Sequence, residues 1–564
     1  MMENSRTELS MSIASFRKLR ENDLLYVDKT RFIKTLEDLG IRHALLTRPR
    51  RFGKSLFLST LETYYDRNEA ENFDRYFAGT FIGAHPTATQ GQYAVLFFDL
   101  SGIDRTDFNH AFCRNIISSF THFCRHYKIE ALRPLLSRDN TDPSSLMRGF
   151  FHIVSEHLPL KLMVLIDEYD HTANDLLEHG PEAFPAVAKR EALLASFYSE
   201  IEKAVTSGVI ARSFITGVTR LSKYPVATGF PSAADITEHE SFADLYGFTA
   251  EELRDVIRST MSDKKLPMSA DEIETRMTDA YSGYRFSPSS DLTVLNPEAC
   301  IYYLRAGDYR EPEASPVKPR SILTDDTLMD TMFRLGDTAS VKQLVTSVVQ
   351  GVPLPAPAAT MPTENKNRTH LTNEERLDLF RCMGFLTYGA TASELVIPNK
   401  YMSEGFDLYF LRRIADFSSF IISDRRAKEV ALALTKSDIR PLFERITEPL
   451  RNEADHAPCQ YSDEFILRTA VRVLINLCTD YRWVDLGTTG FGLLPVAGNT
   501  PAYAVGLATI NAEEKTAEAI AQKLDAVQTK LKRAAALHPL NTDTQIIHTT
   551  IAFADFEVAA MKID

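Results

Sequence analysis

Cysteine is scarce in this chain of 564 residues: six are scattered along it, with no C-x-x-C spacing. That argues against a disulfide scaffold or a thiolate metal knuckle, and the cysteines are read as reduced thiols. No apolar run approaches the about 18–20 residues of a membrane-spanning helix, so no membrane partner is expected. A basic excess is missing too. The net charge is −13, which argues against a chain-wide nucleic-acid footprint. The first residues, MMENSRTELS, lack the charged and apolar regions of a secretory signal, so the expected location is cytoplasmic. There is no G-x-S-x-G, no H-E-x-x-H, no convincing Cys–His pair, no internal repeat and no low-complexity tract. Those absences remove the commoner hydrolase signatures.

What is present begins with composition. Hydrophobic residues make up 44% and charged residues 25%, the balance of a soluble globular chain. The length predicts about three to four domains. The chain is organised around Ala44 to Tyr65, ALLTRPRRFGKSLFLSTLETYY. It reads as a short apolar strand (Ala44, Leu45, Leu46), a basic turn, and Gly53-Lys54-Ser55 opening a helix. That helix carries Leu58, Leu61 and Tyr65 at helical spacing. Strand, tight turn and Gly-Lys-Ser at a helix start form a phosphate-binding arrangement. Backbone N–H groups and the helix dipole there favour an anion. Lys54 would reach outer phosphates, and the Ser55 hydroxyl would hold Mg²⁺. The segment Arg48, Pro49, Arg50, Arg51, Phe52, Gly53, Lys54, Ser55 and Leu56 is the expected nucleotide-binding loop. One defect stands out: Arg48 occupies the position of the usual first Gly. A local basic cluster in an acidic protein suits a small polyanion.

Two further signals follow in order. Leu162 to Ile166 (LMVLI) is a buried strand running into Asp167-Glu168. Asp167 would hold Mg²⁺, and Glu168 would polarise an attacking water. Then Ser213 to Thr216 reads as a strand ending in TGVTRLS. Thr216 is the candidate sensor of a terminal phosphate, and Arg220 a candidate for phosphate charge. Another strand, Ala94 to Asp99, is apolar to its last residue, as expected when both faces are covered. Phe32, Ile33, Leu36 and Leu39 form an amphipathic helix ended by Gly40. Phe108 to His157 is mostly helical. His122 and His126 share a helix face, but no further ligand is visible and they are not read as a metal site. Asp28 and Lys29 are read as lining the pocket or as a surface pair. Thr249 and Glu252 form a capping box. Residues 321–349 read as helical, and 351–370 as a flexible Pro-rich connection. Leu371 to Asn399 reads as a helix and a strand pair turning near Gly389. The end of the chain reads as a helical stretch to Cys478, strand-like runs FGLLPVAG and AYAVGLATI, a helix from Ala512 to Leu537, and a final strand around Gln545 to Phe553.

Taken together, YVDKTRFI, RPRRFGKSL, DEYD, TGVTRLS, YGFT, YSGYRFS and VLNP, in that order, resemble the bacterial AAA-ATPase-like family over roughly Ser12 to Asn399. The resemblance accounts for Arg48, since Arg-Pro-Arg-Arg-Phe precedes Gly-Lys-Ser in that family. It also implies a C-terminal nuclease-like domain of the PD-(D/E)xK type. In such domains an Asp and a Glu hold Mg²⁺ and a Lys stabilises charge. Glu464 stands at the expected helical Glu. Leu493 stands where the Asp would be, and Gly506 and Ala508 where Glu and Lys would be, so the domain is expected to lack its metal site.

The resulting expectation is an α/β chain. A P-loop ATPase core spans 1–242, with a mostly parallel sheet between helices. A helical lid spans 243–320, a small helical or winged-helix-like domain 321–424, and a degenerate nuclease-like domain 425–564. The expected function is an Mg²⁺-dependent ATP-binding protein and slow ATPase. Alternatives are a nucleotide-gated interaction module or an ATP-linked nuclease. ATP and Mg²⁺ are the expected ligands, with a protein or nucleic-acid partner at the C-terminal domain and the oligomeric state left open.

Overall fold

The computed structural model describes residues 13–104, 106–136, 142–170, 184–220, 229–261, 268–306, 329, 331–332, 353–357, 371–403, 405–406, 409, 424–444, 446, 467–468, 471–472, 475, 481–486, 490–495, 500–510, 516–537, 545–554 and 557–564. Its central feature is a five-stranded parallel sheet. The strands are β1 (His43–Thr47), β2 (Tyr93–Asp99), β3 (Lys161–Asp167), β4 (Ile210–Gly217) and β5 (Ala234–Asp235), in the order β2-β3-β4-β1-β5. Parallel strands need long crossovers, and helices supply them. Both faces are thereby covered, which is why β3 can be apolar from Leu162 to Ile166, all of them buried.

One face of the sheet is covered by the helices Phe108–Tyr127, Pro143–His157 and Phe184–Thr206. Their contact with it is an aromatic core. Phe98 of β2 meets Phe197 and Phe120, and Phe120 in turn stacks on Phe150 of the neighbouring helix with centroids 3.9 Å apart. Each fully buried Phe contributes about 1.5–3 kcal/mol in apolar transfer. The helix Lys54–Tyr65 packs against β2, β3 and β4 and buries Phe57, Leu58, Leu61, Tyr64 and Tyr65.

The strands run a few residues beyond the expected bounds. The two-residue β5 carries no apolar signal, and only its pairing with Ala44 and Leu45 defines it. The helix Arg31–Asp38 buries Phe32, Ile33 and Leu36, but Leu39 is 48% exposed. Leu39 is the C-cap residue, where the chain leaves the helical path and turns at Gly40, φ +66°.

Thr249 and Glu252 cap the helix Ala250–Met261 reciprocally, at 3.2 and 2.8 Å. Further on, the helix Asn373–Cys382 is followed by β7 (Thr387–Tyr388) and β8 (Glu394–Val396), joined antiparallel. β6 (Leu354–Pro355) adds to β8. That corrects one expectation, because part of the 351–370 connection is paired strand. The helix expected over 321–349 falls almost wholly outside the described residues, as does Glu464.

The chain divides into two compact units, Met1–Gln343 with Pro353–Tyr401, and Leu344–Val352 with Met402–Asp564. The second holds β9 (Tyr481–Asp485), β10 (Phe491–Pro495), β11 (Ala502–Thr509), β12 (Ile546–Ala554) and β13 (Glu557–Ile563), in the order β13-β12-β11-β10-β9. β9, β10 and β11 are antiparallel, β12 is parallel to β11, and β13 is antiparallel to β12. The helix Ala517–Leu537 supplies the crossover, and Leu524 and Leu531 are buried against the sheet.

Candidate nucleotide-binding site

The loop after β1 combines a buried half and an open half. Arg48, Pro49, Phe52 and Lys54 are buried, whereas Arg50, Arg51, Gly53 and Ser55 are exposed and Leu56 is half-buried. Gly53 stands just before the helix at φ +100°, ψ +17°. A Cβ there would meet nothing within 4 Å, so it is the left-handed backbone that favours glycine. Arg51, at φ +69°, shares this turn. The first N–H groups of the helix that follows have no intrahelical acceptor, as at any helix start.

Lys54 Nζ donates to the carbonyls of Arg48 and Pro49, at 3.0 and 2.9 Å. Burial pulls its pKa down to about 8, against the attraction of Asp167, Asp170 and Glu168. Ser55 Oγ donates to Asp167 Oδ2 at 2.6 Å. A hydroxyl and a carboxylate in contact are hard oxygen donors, a set that fits a small divalent cation. Burial raises the Asp167 pKa, and Ser55 and Lys54 oppose the shift. Glu168 sits at φ +52°, and its N–H donates to Asp167 Oδ1 at 2.9 Å. Burial raises its pKa first, then the negative neighbours Asp167, Asp170 and Asp99. Asp99 ends β2 directly opposite Asp167, a contribution that sequence reading missed.

Asp170 is buried and accepts from the N–H groups of Val218 and Thr219 and from the Thr219 hydroxyl. The turn after β4 is thereby tied to the turn after β3. Close approach at Gly217 makes glycine necessary, since a Cβ would lie 2.3 Å from Asp170 Oδ1.

Three expected contacts are placed differently. The Arg48 guanidinium is fully buried and donates to the carbonyls of Thr47, Thr237 and Phe242, at 2.8, 2.7 and 3.0 Å. It also lies 4.5 Å from the centre of the Phe286 ring. Arg48 therefore contributes backbone to the loop, and its charge is directed away from it. Thr216 is buried, and its hydroxyl donates to Leu46 O at 2.8 Å. Arg220 pairs with Glu238 at 2.9 Å. The remaining constellations resolve as structural contacts. Lys29 bonds Glu252 and the Asp244 carbonyl, while Asp28 caps Thr30 and Phe81. Neither pairs with the other, because the segment is pulled onto the residues after β5. His126 bonds Asp66 at 2.7 Å.

The outer surface of the loop is covered. Phe52 packs edge-on to Tyr284 and Phe286, with centroids 5.0 and 5.3 Å apart. Pro49 meets Gly384, where a Cβ would come within 3.1 Å of the ring. Arg51 lies 3.5 Å from Glu298. Arg285 secures the same region by donating to Gly389 O and Ser290 O. The YSGYRFS block carried the signal for these contacts. Gly384 and Glu298 carried none, because their role exists only across the fold.

In comparison with known proteins, the chain is 27% identical over 326 residues to an uncharacterized protein in the vnfD 5' region of Azotobacter chroococcum mcd 1, covering 54% of this chain and 53% of that protein. The chain thus spans about half the length of the curated relative it matches. Residues 10–227 match the AAA-ATPase-like family, described as "Predicted AAA-ATPase". With the parallel sheet and the loop geometry, that part of the chain is similar to a nucleotide-binding, ATPase-like protein.

Proposed function

We propose that the chain is an Mg²⁺-dependent ATPase of slow turnover. The observation that carries this reading is the contact of Ser55 with Asp167 beside a Lys54 folded onto its own loop carbonyls. Lys54 exchanges those two carbonyls for phosphate oxygens when nucleotide enters. The exchange costs little, because the ammonium group is already desolvated. Ser55 and Asp167 would hold Mg²⁺, which supplies neutralisation of phosphate charge when bound. Glu168 accepts the proton of the attacking water. Slow turnover is supported by the engagement of the Arg48 guanidinium in contacts within the protein.

In this reading residues 243–320 act as the lid and 321–424 as a winged-helix-like module. The helix-and-hairpin arrangement of 373–396 supports the latter. Residues 425–564 are read as a nuclease-like domain lacking its metal site. Support comes from the antiparallel β9–β11, the helical crossover and the parallel β12. Leu493, Gly506 and Ala508 are buried there, and Leu493 lies opposite Tyr503.

The test is phosphate release from ATP with Mg²⁺, alongside direct nucleotide binding, in wild type, Lys54→Ala and Glu168→Gln. Release lost in both variants, with binding lost only in Lys54→Ala, is the expected result. Binding without release in wild type would leave a nucleotide-gated interaction module. Absence of binding would overturn the proposal.

A further inference from the structure

A single carboxylate oxygen gathers three donors from three separate segments. Glu238 Oε1 lies 2.9 Å from Arg220 Nη1, 3.0 Å from Arg381 Nη2 and 2.9 Å from the Tyr388 hydroxyl. Arg220 follows β4, Glu238 follows β5, Arg381 belongs to the helix Asn373–Cys382, and Tyr388 to β7. Asp235 adds a second, longer contact to Arg220, at 3.9 Å. Arg381 is further paired with Asp378 and lies over the Tyr388 ring, 5.1 Å from its centre.

The sheet order says where this cluster stands. β1 lies between β4 and β5. An ion pair joining the segment after β4 to the segment after β5 therefore passes across the exit of β1, where the phosphate loop starts. Arg48, the first residue of that exit, feels the charges of Arg381, Arg220 and Glu238. Two guanidiniums share one oxygen, so neither has that carboxylate oxygen to itself. Arg220 also keeps a buried donor, Nε, without a hydrogen-bond partner among the described residues. A buried guanidinium with an unsatisfied N–H is incompletely compensated. A phosphate oxygen, an anion with several acceptor sites, would complete it.

We propose that Glu238 is a positioning residue: it holds Arg220 across the exit of β1, within reach of the terminal phosphate of a bound triphosphate, and Arg381 and Tyr388 hold Glu238 in turn. The proposal rests on the nucleotide reading above. It adds the means by which the site distinguishes a triphosphate from a diphosphate. A diphosphate occupies the loop through Lys54 and the helix start and leaves Arg220 with Glu238. A triphosphate draws on Arg220 as well.

The experiment uses the full chain with Mg²⁺ and compares the affinities of ATPγS and ADP. The variants are Glu238→Gln, Arg220→Ala and their double, with Lys54→Ala as the control. A charge-assisted hydrogen bond is worth about 1.5–3 kcal/mol, on the order of 10- to 100-fold in affinity. Each single variant is expected to lose about tenfold or more for ATPγS while ADP affinity stays unchanged. The double is expected to be no worse than Arg220→Ala, because both remove one interaction. Tyr388→Phe removes one donor from Glu238 without changing charge, and should shift the same ratio by a smaller factor. It keeps the test open if Glu238→Gln fails to fold. A parallel fall in ADP affinity, or losses that multiply in the double, would reduce Glu238 to a structural residue and overturn the proposal. So would a wild-type ratio in Glu238→Gln. Failure of wild type to bind either nucleotide would instead remove the nucleotide reading itself, and this inference with it.

Discussion

Replacing Arg48 by the glycine that phosphate loops usually carry there should damage this protein. The guanidinium is fully buried, and burial has pulled its pKa down to about 9 from 12.5. That shift corresponds to about 5 kcal/mol of unfavourable desolvation, which Arg48→Gly would return. Against it stand three hydrogen bonds from a charged donor, at about 1.5–3 kcal/mol each, and the contact with Phe286. These terms nearly offset one another. The decisive costs are those left behind: an arginine-sized void, three carbonyls that each lose a charged donor, and the freer backbone of glycine. The net expectation is about 3–5 kcal/mol of destabilisation, the range for breaking a buried polar network. The protein's one tryptophan is Trp483, in the second unit, so its fluorescence would report on the wrong part. Hydrogen exchange over residues 43–66, alongside thermal melting by circular dichroism, reads the first unit. Faster exchange in β1 and the loop helix and an earlier first transition are expected, with weaker ATP binding. An Arg48→Gly protein as stable as wild type, binding ATP more tightly, would refute the claim that Arg48 supports the loop from behind.

Two further outcomes follow from the same geometry. Gly53→Ala meets no steric neighbour, so its cost comes from the left-handed backbone alone, about 1–2 kcal/mol; a melting temperature equal to wild type would show that the turn relaxes freely. The Asp66 hydrogen bond raises the His126 pKa above 6.5, with Arg17, Glu62 and His122 facing the same pair. A raised folded pKa gives stability that is complete below 6.5 and lost as pH rises through the folded value. Melting temperature should therefore fall as pH rises above about 6.5, and His126→Gln should flatten that step; an unchanged profile in the variant would assign the step to another group.

Sequence alone determined the parts whose chemistry is local. A strand buried on both faces must be apolar, so β2, β3 and β4 were legible, and so was the Gly-Lys-Ser helix start. The pairing of Ser55 with Asp167 was legible in kind, because both residue types point to one cation. Tertiary structure decided what depends on which segments meet. Strand β5 has no pattern of its own and exists through its pairing with β1. Arg48 looked like a phosphate ligand because it lies in a basic run; the carbonyls of Thr47, Thr237 and Phe242 engage it instead, and two of these are about 190 residues away. Glu238, Arg381 and Tyr388 are ordinary surface-type residues in sequence, and only the order β4-β1-β5 brings Glu238 and Arg220 together. Periodicity records how a segment buries its own face. It carries no record of which distant charge completes a neighbour's hydrogen bonds, and in this protein those bonds set the environment of the loop after β1.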